Sequence, residues 1–455
     1  MITIIEMNFD KISLDQLIEL GKFQCECGKT HYAGKIEVLI EKGAVRIIPE
    51  LLKQKNCFKP FVLSGKDTFL AAGEKVCSEL EKAGIEYSSF IFKDSPVSPT
   101  EYTVGSMMMN YDYSCDCIIA VGSGVINDTA KFLAKATGLE FLLVATAPSM
   151  DGFVSSTSSM ERDGLKVSIN TTYAQTIIGD LDVLCNAPMH MIAAGVGDML
   201  AKYISLAEWK ISNIITGEYY CQTVERIVKS ALNDVVKAVP KLKKRDPDAV
   251  KSVMEGLIIA GIAMNYAGVS RPASGIEHYF SHIWDMRSLA FEDAKHDLHG
   301  IQCGIGTLNS IKLWNYIKAI KPDREKALEY VKNFSVEEWN KTLRRFIGPG
   351  AEAMIQGEEK EKKYGVGSHN TRLDRIIEHW QEIIDVIDTM PSYEKVYSVL
   401  SELDSPLSAE YIGYDKNSVA LCMMITKDIR DKYIGSRLLW DIGEIEEAAK
   451  IVSFN

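Results

Sequence analysis

The feature that most constrains the fold is the alternation of short apolar runs with helix-periodic stretches in the first half of the chain. Four apolar runs predict strands, at residues 61–64, 86–93, 115–124 and 139–149. The stretches between them predict helices, at residues 68–84, 100–113 and 125–138. Because nearly continuous apolar strands that alternate with helices form parallel sheets covered on both faces, this half predicts an α/β fold. Ligands of such sheets bind at the carboxyl ends of the strands.

The pattern changes after about residue 186. Long helix-periodic stretches follow, and strand-like alternation is nearly absent from there to the end. A chain of 455 residues is also too long for one ordinary domain. We therefore predict an α/β plus all-α protein with two domains. Residues 1–185 would form a Rossmann-like nucleotide-binding domain, and residues 186–455 a helical bundle domain that binds metal and substrate.

Composition narrows the class of partner. A net charge of −11 argues against nucleic acid or an anionic membrane as the main partner, although a small anionic ligand needs only a local pocket. The N-terminus lacks the basic start and apolar run of a targeting signal, and the longest apolar stretch, 257–264, is too short to span a bilayer. Ten scattered cysteines suit a reducing compartment. We expect a cytoplasmic protein with a small-molecule substrate, and a homo-oligomer stays open.

One local cluster of cysteine and histidine stands near the N-terminus. Cys25, Cys27 and His31 lie within seven residues, and these residue types bind zinc. A second pair of ligands at the usual spacing is missing from the sequence around them. A loop with reduced thiols that binds nothing is therefore the simpler interpretation.

A glycine turn follows one of the predicted strands. Gly122, Ser123 and Gly124 stand between the strand at 115–124 and a helix that Gly138 would close. Glycines at such a turn let the backbone approach a phosphate, and the helix start favours an anion. The pattern departs from the full dinucleotide fingerprint, so a tight turn without a ligand is an equal alternative.

A second polar cluster follows the next predicted strand. Thr146, Ser149, Asp151 and Ser155 come at the same end of the same predicted sheet. Such side chains could hydrogen-bond a cofactor or substrate, and the alternative is a turn that caps a helix. Two polar turns on neighbouring strands favour a ligand site.

Three histidines form the most suggestive set in the second half. His278 and His282 stand at i and i+4, which places both imidazoles on one face of a helix, and His299 follows. Imidazole is the commonest metal ligand among side chains, so the set indicates a metal site. Spacing alone leaves core or capping histidines as an equal alternative.

Five motifs in one order resemble a known family. They are GSGVINDTAK, TAPSMD, GVGDMLAK, SGIEHYFSH and LHGIQCGIGT, and the resemblance extends over about residues 30–440. The chain resembles the sn-glycerol-1-phosphate dehydrogenase family, in the iron-containing alcohol dehydrogenase and dehydroquinate synthase-like superfamily. The resemblance implies NAD or NADP, one divalent metal ion and reversible reduction of dihydroxyacetone phosphate. Zinc is the metal we expect, with nickel or iron as alternatives.

The resemblance also implies roles for individual residues. Asp198, His278 and His299 match the metal ligands. Asp151 and His282 match substrate contacts, and Asp198 is expected to touch substrate as well as metal. The matched positions for cofactor contacts are Gly122, Ser123, Gly124, Val125, Ile126, Thr146, Ala147, Pro148, Ser149 and Ser155.

Some positions depart from the family pattern, and one role comes from chemistry alone. Gly65 ends the first strand of the pattern where an acidic residue would bind the ribose of NAD, with Asp67 two residues later, so NAD versus NADP stays open.

We predict Arg271 and Ser274 as the anchor of the substrate phosphate, because Arg binds phosphate through two hydrogen bonds and a helix start favours anions. A structural ion pair is the alternative for Arg271.

Other functions remain as alternatives. Glycerol dehydrogenase or a cyclase of the same superfamily would share the metal ligands and the glycine turn. A non-catalytic nucleotide sensor would have lost one of them, whereas this sequence keeps all.

Overall fold

The structure is a computed structural model that describes residues 8–163, 165–292 and 294–453. Residues 1–7, where the sequence predicts no targeting signal, lie outside these ranges. The chain divides into two compact units. Unit 1 comprises Met1–Met199 and Arg226–Val269, and unit 2 comprises Leu200–Glu225 and Ser270–Asn455. The predicted domain boundary between residues 185 and 186 stays a prediction.

All strands of the described residues belong to unit 1. They are β1 Lys22–Gln24, β2 Thr30–Tyr32, β3 Glu37–Glu41, β4 Pro60–Gly65, β5 Ser88–Phe92, β6 Cys117–Gly122, β7 Phe141–Ala145, β8 Thr157–Arg162, β9 Leu165–Asn170 and β10 Thr176–Asp180. Six of them form one parallel sheet in the order β3-β10-β7-β6-β4-β5. The pairs β1–β2 and β8–β9 are separate antiparallel hairpins.

The helices account for most of the remaining chain. They are α1 Leu14–Leu20, α2 Ile48–Gln54, α3 Lys66–Thr68, α4 Glu74–Lys82, α5 Glu101–Asn110, α6 Gly124–Thr137, α7 Leu181–Leu184, α8 Met189–Leu200, α9 Lys202–Thr216, α10 Gln222–Leu242, α11 Pro247–Ala267, α12 Ile276–Ala290, α13 His299–Ala319, α14 Arg324–Asn333, α15 Val336–Ile347, α16 Ala351–Glu361, α17 Val366–Glu378, α18 Trp380–Ile387, α19 Tyr393–Glu402, α20 Lys416–Ile425, α21 Gly435–Asp441 and α22 Ile445–Ser453. A π-helical turn, Phe69–Gly73, joins α3 to α4. Short 3-10 turns lie at Ala44–Ile47, Gly348–Gly350, Ala409–Ile412 and Thr426–Asp428.

The predicted parallel sheet is confirmed, with two further strands. The four predicted strands correspond to β4–β7, while β3 and β10 were not predicted. Every residue of β4, β6, β7 and β10 is buried, which explains why apolar residues fill nearly all of their positions. Gly138 ends α6 with φ +73°, as expected of a helix C-cap.

Unit 2 is helical throughout its described residues. Its core contains four tryptophans that are almost completely buried, Trp209, Trp284, Trp314 and Trp440. Near the C-terminus, the left-handed residue Gly443 (φ +72°) separates α21 from α22. Among the described residues of either unit, no helix combines the length and apolarity needed to cross a bilayer.

Candidate active site

The glycine turn connects β6 to α6 in unit 1. Ser123 is the residue before the first turn of α6 (φ −121°, ψ −136°). A Cβ on Gly122 would lie 2.5 Å from Ile126 Cβ, so the packing of Ile126 excludes any side chain there. A Cβ on Gly124 would meet only Met150 Cγ, at 3.8 Å. The space beside Gly124 lies at the start of α6, where the N–H groups of a helix favour an anion.

Buried polar side chains of α6 fix this turn to the segment that follows β7. Lys131 is fully buried, and its Nζ donates to Gly152 O at 2.6 Å and to Thr157 O at 3.2 Å. Lys131 also pairs with Asp128, whose other carboxylate oxygen accepts from Ser159 N at 3.0 Å. Both charges thus stabilise loop structure within unit 1, so their role in this motif is to position backbone.

The turn after β7 lies next to the glycine turn. Thr146 N donates to Gly122 O at 3.1 Å, and Thr146, Ser149 and Asp151 are all buried. The Ser155 hydroxyl lies 2.9 Å from Thr157 Oγ1. The predicted cofactor contacts at 122–126 and 146–149 are therefore close together at the carboxyl ends of β6 and β7, where a sheet of this type binds ligands.

Helix α8 packs against that turn at unusually short range. A Cβ on Gly195 would lie 2.0 Å from Pro148 O, so only glycine permits this approach. One turn later, the fully buried Asp198 accepts a hydrogen bond from Asp151 N at 2.9 Å. The close packing at Gly195 thus places Asp198 beside the polar turn and orients its carboxylate.

In unit 2, side chains of α9 hold the segment that leads into α12. Lys202 Nζ donates to Ala273 O at 3.1 Å, and Ser205 Oγ donates to Pro272 O at 3.2 Å. Glu208 accepts from Ile276 N at 2.8 Å, at the start of α12. Burial raises the pKa of Glu208 to about 7. These contacts fix the position and direction of the helix that carries His278 and His282.

His278 is buried on α12 and has a defined ring orientation. Its Nδ1 lies 2.8 Å from Glu277 Oε1. Burial, assisted by the nearby Lys202, lowers the pKa of His278 well below its ordinary value, which favours the neutral imidazole. Burial and the nearby Glu208 raise the pKa of Glu277 to about 8. A neutral imidazole whose Nδ1 is held by a carboxyl group presents Nε2 as a metal donor.

His299, at the start of α13, lies next to His278. The two ring centroids are 4.9 Å apart, with an interplanar angle of 64°. Ser281 Oγ lies 3.0 Å from His299 Nδ1, and Cys303 Sγ lies 3.5 Å from His299 Nε2. Donor atoms of His278, His299 and Cys303 fall within 4.8 Å of one another. Two imidazoles and a thiol at this spacing fit a divalent transition metal, so the donor chemistry suits the metal that we predict.

His282 lies one turn beyond His278 and faces the same side of α12. Its ring centroid is 6.3 Å from that of His299, with an interplanar angle of 28°, and 6.2 Å from that of Tyr279. Unlike His278 and His299, His282 is not part of the group of closely spaced metal donors. Its position matches a side chain that lies beside a metal site rather than in it.

Arg271, predicted as a phosphate anchor, is fully engaged within unit 2. Its Nε and one Nη donate to both carboxylate oxygens of Glu218, at 2.8 and 2.5 Å. The guanidinium also donates to Tyr433 O at 3.0 Å and to Ser212 Oγ at 3.1 Å. Ser274, the second predicted anchor, accepts from Lys432 Nζ through its backbone oxygen at 2.8 Å. These contacts favour the structural ion pair for Arg271, while its role toward substrate stays a prediction.

Comparisons with known proteins agree with these motifs. Residues 39–188 match the family model of iron-containing alcohol dehydrogenases. Over 289 residues the chain is 32% identical to a glycerol-1-phosphate dehydrogenase [NAD(P)+] of Halalkalibacterium halodurans, which is 63% of this chain and 72% of that protein. The chain belongs to the glycerol-1-phosphate dehydrogenase family. Another member, from Geobacillus stearothermophilus, is 26% identical over 90% of this chain and 92% of its own length.

Solved structures support the fold of this family member. The crystal structure of a glycerol dehydrogenase from Schizosaccharomyces pombe has a TM-score of 0.57 and 14% sequence identity. The match covers 91% of this chain and 90% of the yeast chain. The dehydroquinate synthase-like architecture that the sequence predicts is therefore confirmed.

Several residues around the histidines were missed by sequence reasoning. Cys303 stands four residues after His299, a spacing that could have identified it as a donor on the same face of α13. Lys432, which was not predicted as a site residue, is half-buried, and desolvation lowers its pKa to about 7. Glu277 and Ser281 hold the two imidazoles. No local signal distinguishes these orienting side chains from ordinary helix residues.

Proposed function

We propose that this chain catalyses the reversible reduction of dihydroxyacetone phosphate by NAD(P)H and a proton, giving sn-glycerol 1-phosphate and NAD(P)⁺. The observation that carries the proposal is the oriented pair His278 and His299 in a member of the glycerol-1-phosphate dehydrogenase family. A structural core role would not require both Nδ1 atoms to be fixed by polar neighbours. We further propose that the enzyme acts in the cytoplasm on this small-molecule substrate.

His278, His299 and Asp198 would hold the divalent metal ion. When bound, the ion would act as a Lewis acid that polarises the carbonyl oxygen of the substrate. The contribution of the chain is to prepare the donors: Glu277 and Ser281 orient the imidazoles, and Asp151 N orients the Asp198 carboxylate. Preorganised donors cost little rearrangement when the site is filled.

The glycine turn would bind the pyrophosphate of the nicotinamide cofactor. N–H groups at the start of α6, beside the open space at Gly124, would donate to it. The buried turn at 146–149 and the Ser155 hydroxyl would contact the rest of the cofactor. Asp67, the one acid near the end of β4, accepts a hydrogen bond from Ser95 Oγ, so NADH and NADPH both need to be assayed.

His282 and Asp151 would act on the substrate. His282 lies beside His299 without joining the donor group, so its imidazole is our candidate for moving a proton to or from the substrate oxygen. Asp151, which is buried and next to Asp198, would hydrogen-bond a substrate hydroxyl. Arg271 and Ser274 remain our predicted phosphate anchor, and the Arg271–Glu218 ion pair is the competing role.

The test is a substrate panel on metal-loaded protein. Oxidation of NADH and of NADPH is followed with dihydroxyacetone phosphate and, separately, with unphosphorylated dihydroxyacetone. We expect turnover with the phosphorylated ketone, formation of the sn-1 product, and no turnover for His299→Ala or after complete chelation. Turnover that survives complete chelation would refute the mechanism.

The main competing function is glycerol dehydrogenase, the activity named for the yeast protein of the same fold. Preference for unphosphorylated dihydroxyacetone in the panel would establish it. Loss of turnover on every ketone, with nucleotide still bound, would instead favour a sensor.

A further inference from the structure

The hairpin formed by β1 and β2 brings three metal-binding side chains together in unit 1. Donor atoms of Cys25, Cys27 and His31 lie within 4.8 Å of one another. Cys27 Sγ is 3.4 Å from His31 Nε2. The sequence had suggested an incomplete ligand set, but spacing along the chain does not show that the turn closes these three donors into one group.

The separations agree with a single tetrahedral zinc ion. With Zn–S of about 2.3 Å and Zn–N of about 2.05 Å, tetrahedral angles place S and N about 3.6 Å apart and two S atoms about 3.8 Å apart. The observed Sγ···Nε2 distance of 3.4 Å is close to the first value. The two Sγ atoms lie within 4.8 Å of each other, which is compatible with the S–S separation of about 3.8 Å.

The orientation of His31 also fits a metal ligand. Its Nδ1 lies 2.8 Å from Tyr266 O, in helix α11 of the same unit. A carbonyl oxygen only accepts hydrogen bonds, so Nδ1 carries the proton and Nε2 presents a lone pair toward Cys27. A backbone carbonyl that fixes the tautomer in this way is one of the common partners of a zinc-bound histidine. The imidazole is fully buried, packed against Phe23 and Tyr266.

The backbone of the turn presents both cysteines to one point. Cys25 N donates to Lys29 O at 2.9 Å, and Gly28 N donates to Cys25 O at 3.0 Å. Gly28 has φ +85°, a conformation that glycine adopts readily, and it reverses the chain directly after Cys27. Each strand of this hairpin has only three residues, too few to be stable in isolation. An ion that joins the turn to the second strand would supply the missing stabilisation.

We propose that Cys25, Cys27 and His31 bind a structural zinc ion that is separate from the proposed catalytic metal. Structural zinc sites have four donors, so one more completes the set. Serine replacement of each remaining cysteine in turn identifies the fourth donor if it is a thiol. The ion closes the β1–β2 hairpin, which His31 Nδ1 joins to α11 through Tyr266 O, and takes no part in hydride transfer.

The test measures zinc per chain in the full-length protein and in matched variants. The double variant Cys25→Ser/Cys27→Ser should lose one zinc ion per chain and keep the metal that His299→Ala loses. Cys185→Ser, at a cysteine outside every group of closely spaced metal donors, is the control and should keep both. Unchanged zinc content in the double variant would overturn the proposal, as would wild-type protein whose only metal is the one that His299→Ala removes.

A second measurement keeps Cys25 and Cys27 in place, in case the Cys25→Ser/Cys27→Ser variant does not fold. Cobalt(II) replaces zinc, and thiolate ligation appears as a sulfur-to-metal charge-transfer band. The band should persist in a Cys303→Ser/His299→Ala variant, which lacks the thiol and an imidazole of the other donor group. Alkylation of Cys27, followed by mass spectrometry, should be slow with zinc bound and fast after chelation. A band that disappears with Cys303, or alkylation unaffected by chelation, would place the thiolate ligand elsewhere and refute the site. Both measurements report on this zinc ion and not on turnover, so a ketone assay that refuted the proposed function would leave their interpretation unchanged.

Discussion

Replacing Arg271 separates its two predicted roles, because a structural ion pair and a phosphate anchor affect different measurements. Arg271→Ala removes four hydrogen bonds, two of them to the carboxylate of Glu218. Breaking a buried ion pair costs about 3–5 kcal/mol, and Glu218 keeps 29% of its side chain exposed, so water partly replaces the guanidinium. We expect a loss of about 3 kcal/mol in the free energy of unfolding.

The assay combines thermal unfolding with steady-state kinetics. For a unit of about 200 residues, 3 kcal/mol corresponds to a fall in Tm of roughly 6–12 °C. Glu218→Gln and the double variant complete a mutant cycle, which should give a coupling energy of about 1–3 kcal/mol. An unchanged Tm, with a KM for dihydroxyacetone phosphate raised about tenfold or more, would refute the structural role and establish the phosphate anchor.

Four further predictions follow from the contacts. His299→Ala should abolish both the proposed catalytic metal, measured by elemental analysis, and turnover. His282→Ala should lower kcat by about 10²–10⁴-fold with that metal retained, since a proton-transfer group contributes about this much; loss of metal would show that His282 is a ligand. Gly195→Ala should lower the free energy of unfolding by about 1–3 kcal/mol, because the added Cβ would lie 2.0 Å from Pro148 O. The loss is measured as a lower Tm, and an unchanged Tm would contradict the close packing. Asp180 accepts from Gly43 N, Val45 N and Lys75 Nζ, and these contacts hold its pKa below the ordinary value. A carboxyl group with a lowered folded pKa stabilises the fold above its unfolded pKa and loses that effect as pH falls through the folded pKa. Asp180→Asn should therefore lower stability at neutral pH and flatten the loss of stability below about pH 4, as measured by urea unfolding at several pH values.

The parallel sheet could be predicted because its central strands are fully buried. β6 and β7 have no solvent-facing side, so apolar residues fill them and the signal is local. β3 lies at the edge of the sheet and is mostly exposed or half-buried. Its sequence therefore includes two glutamates and lacks the continuous apolar run that identifies a buried strand. β10 is buried, yet it pairs with β3 and β7, which are distant in sequence, and no local pattern encodes that pairing.

Sequence motifs identified the predicted site residues, but they could not identify the residues that these side chains contact. Arg271 and Glu218 are 53 residues apart in sequence, and neither position carries a sign of the other. The link between Gly195 and Pro148 is likewise non-local: the glycine is visible in the sequence, but the carbonyl that requires it is not. The contact with Tyr266 that fixes His31 spans 235 positions. Local chemistry is readable from sequence, whereas the orientation of that chemistry depends on tertiary packing.

Orientation is also what separates the two histidines on α12. Spacing treats His278 and His282 as equivalent, because both face one side of the helix. Their neighbours differ: Glu277 fixes the ring of His278, and Ser281 lies against Nδ1 of His299. Gln302 Nε2 donates to Ser281 Oγ at 3.0 Å and to Asp285 Oδ1 at 2.8 Å, so α12 and α13 are joined close to the contact between His278 and His299. A histidine whose Nδ1 is held by a polar neighbour is prepared to bind a metal through Nε2. The side chains at 277, 281 and 302 thus favour His278 and His299 as the ligands, a choice that the histidine spacing cannot make.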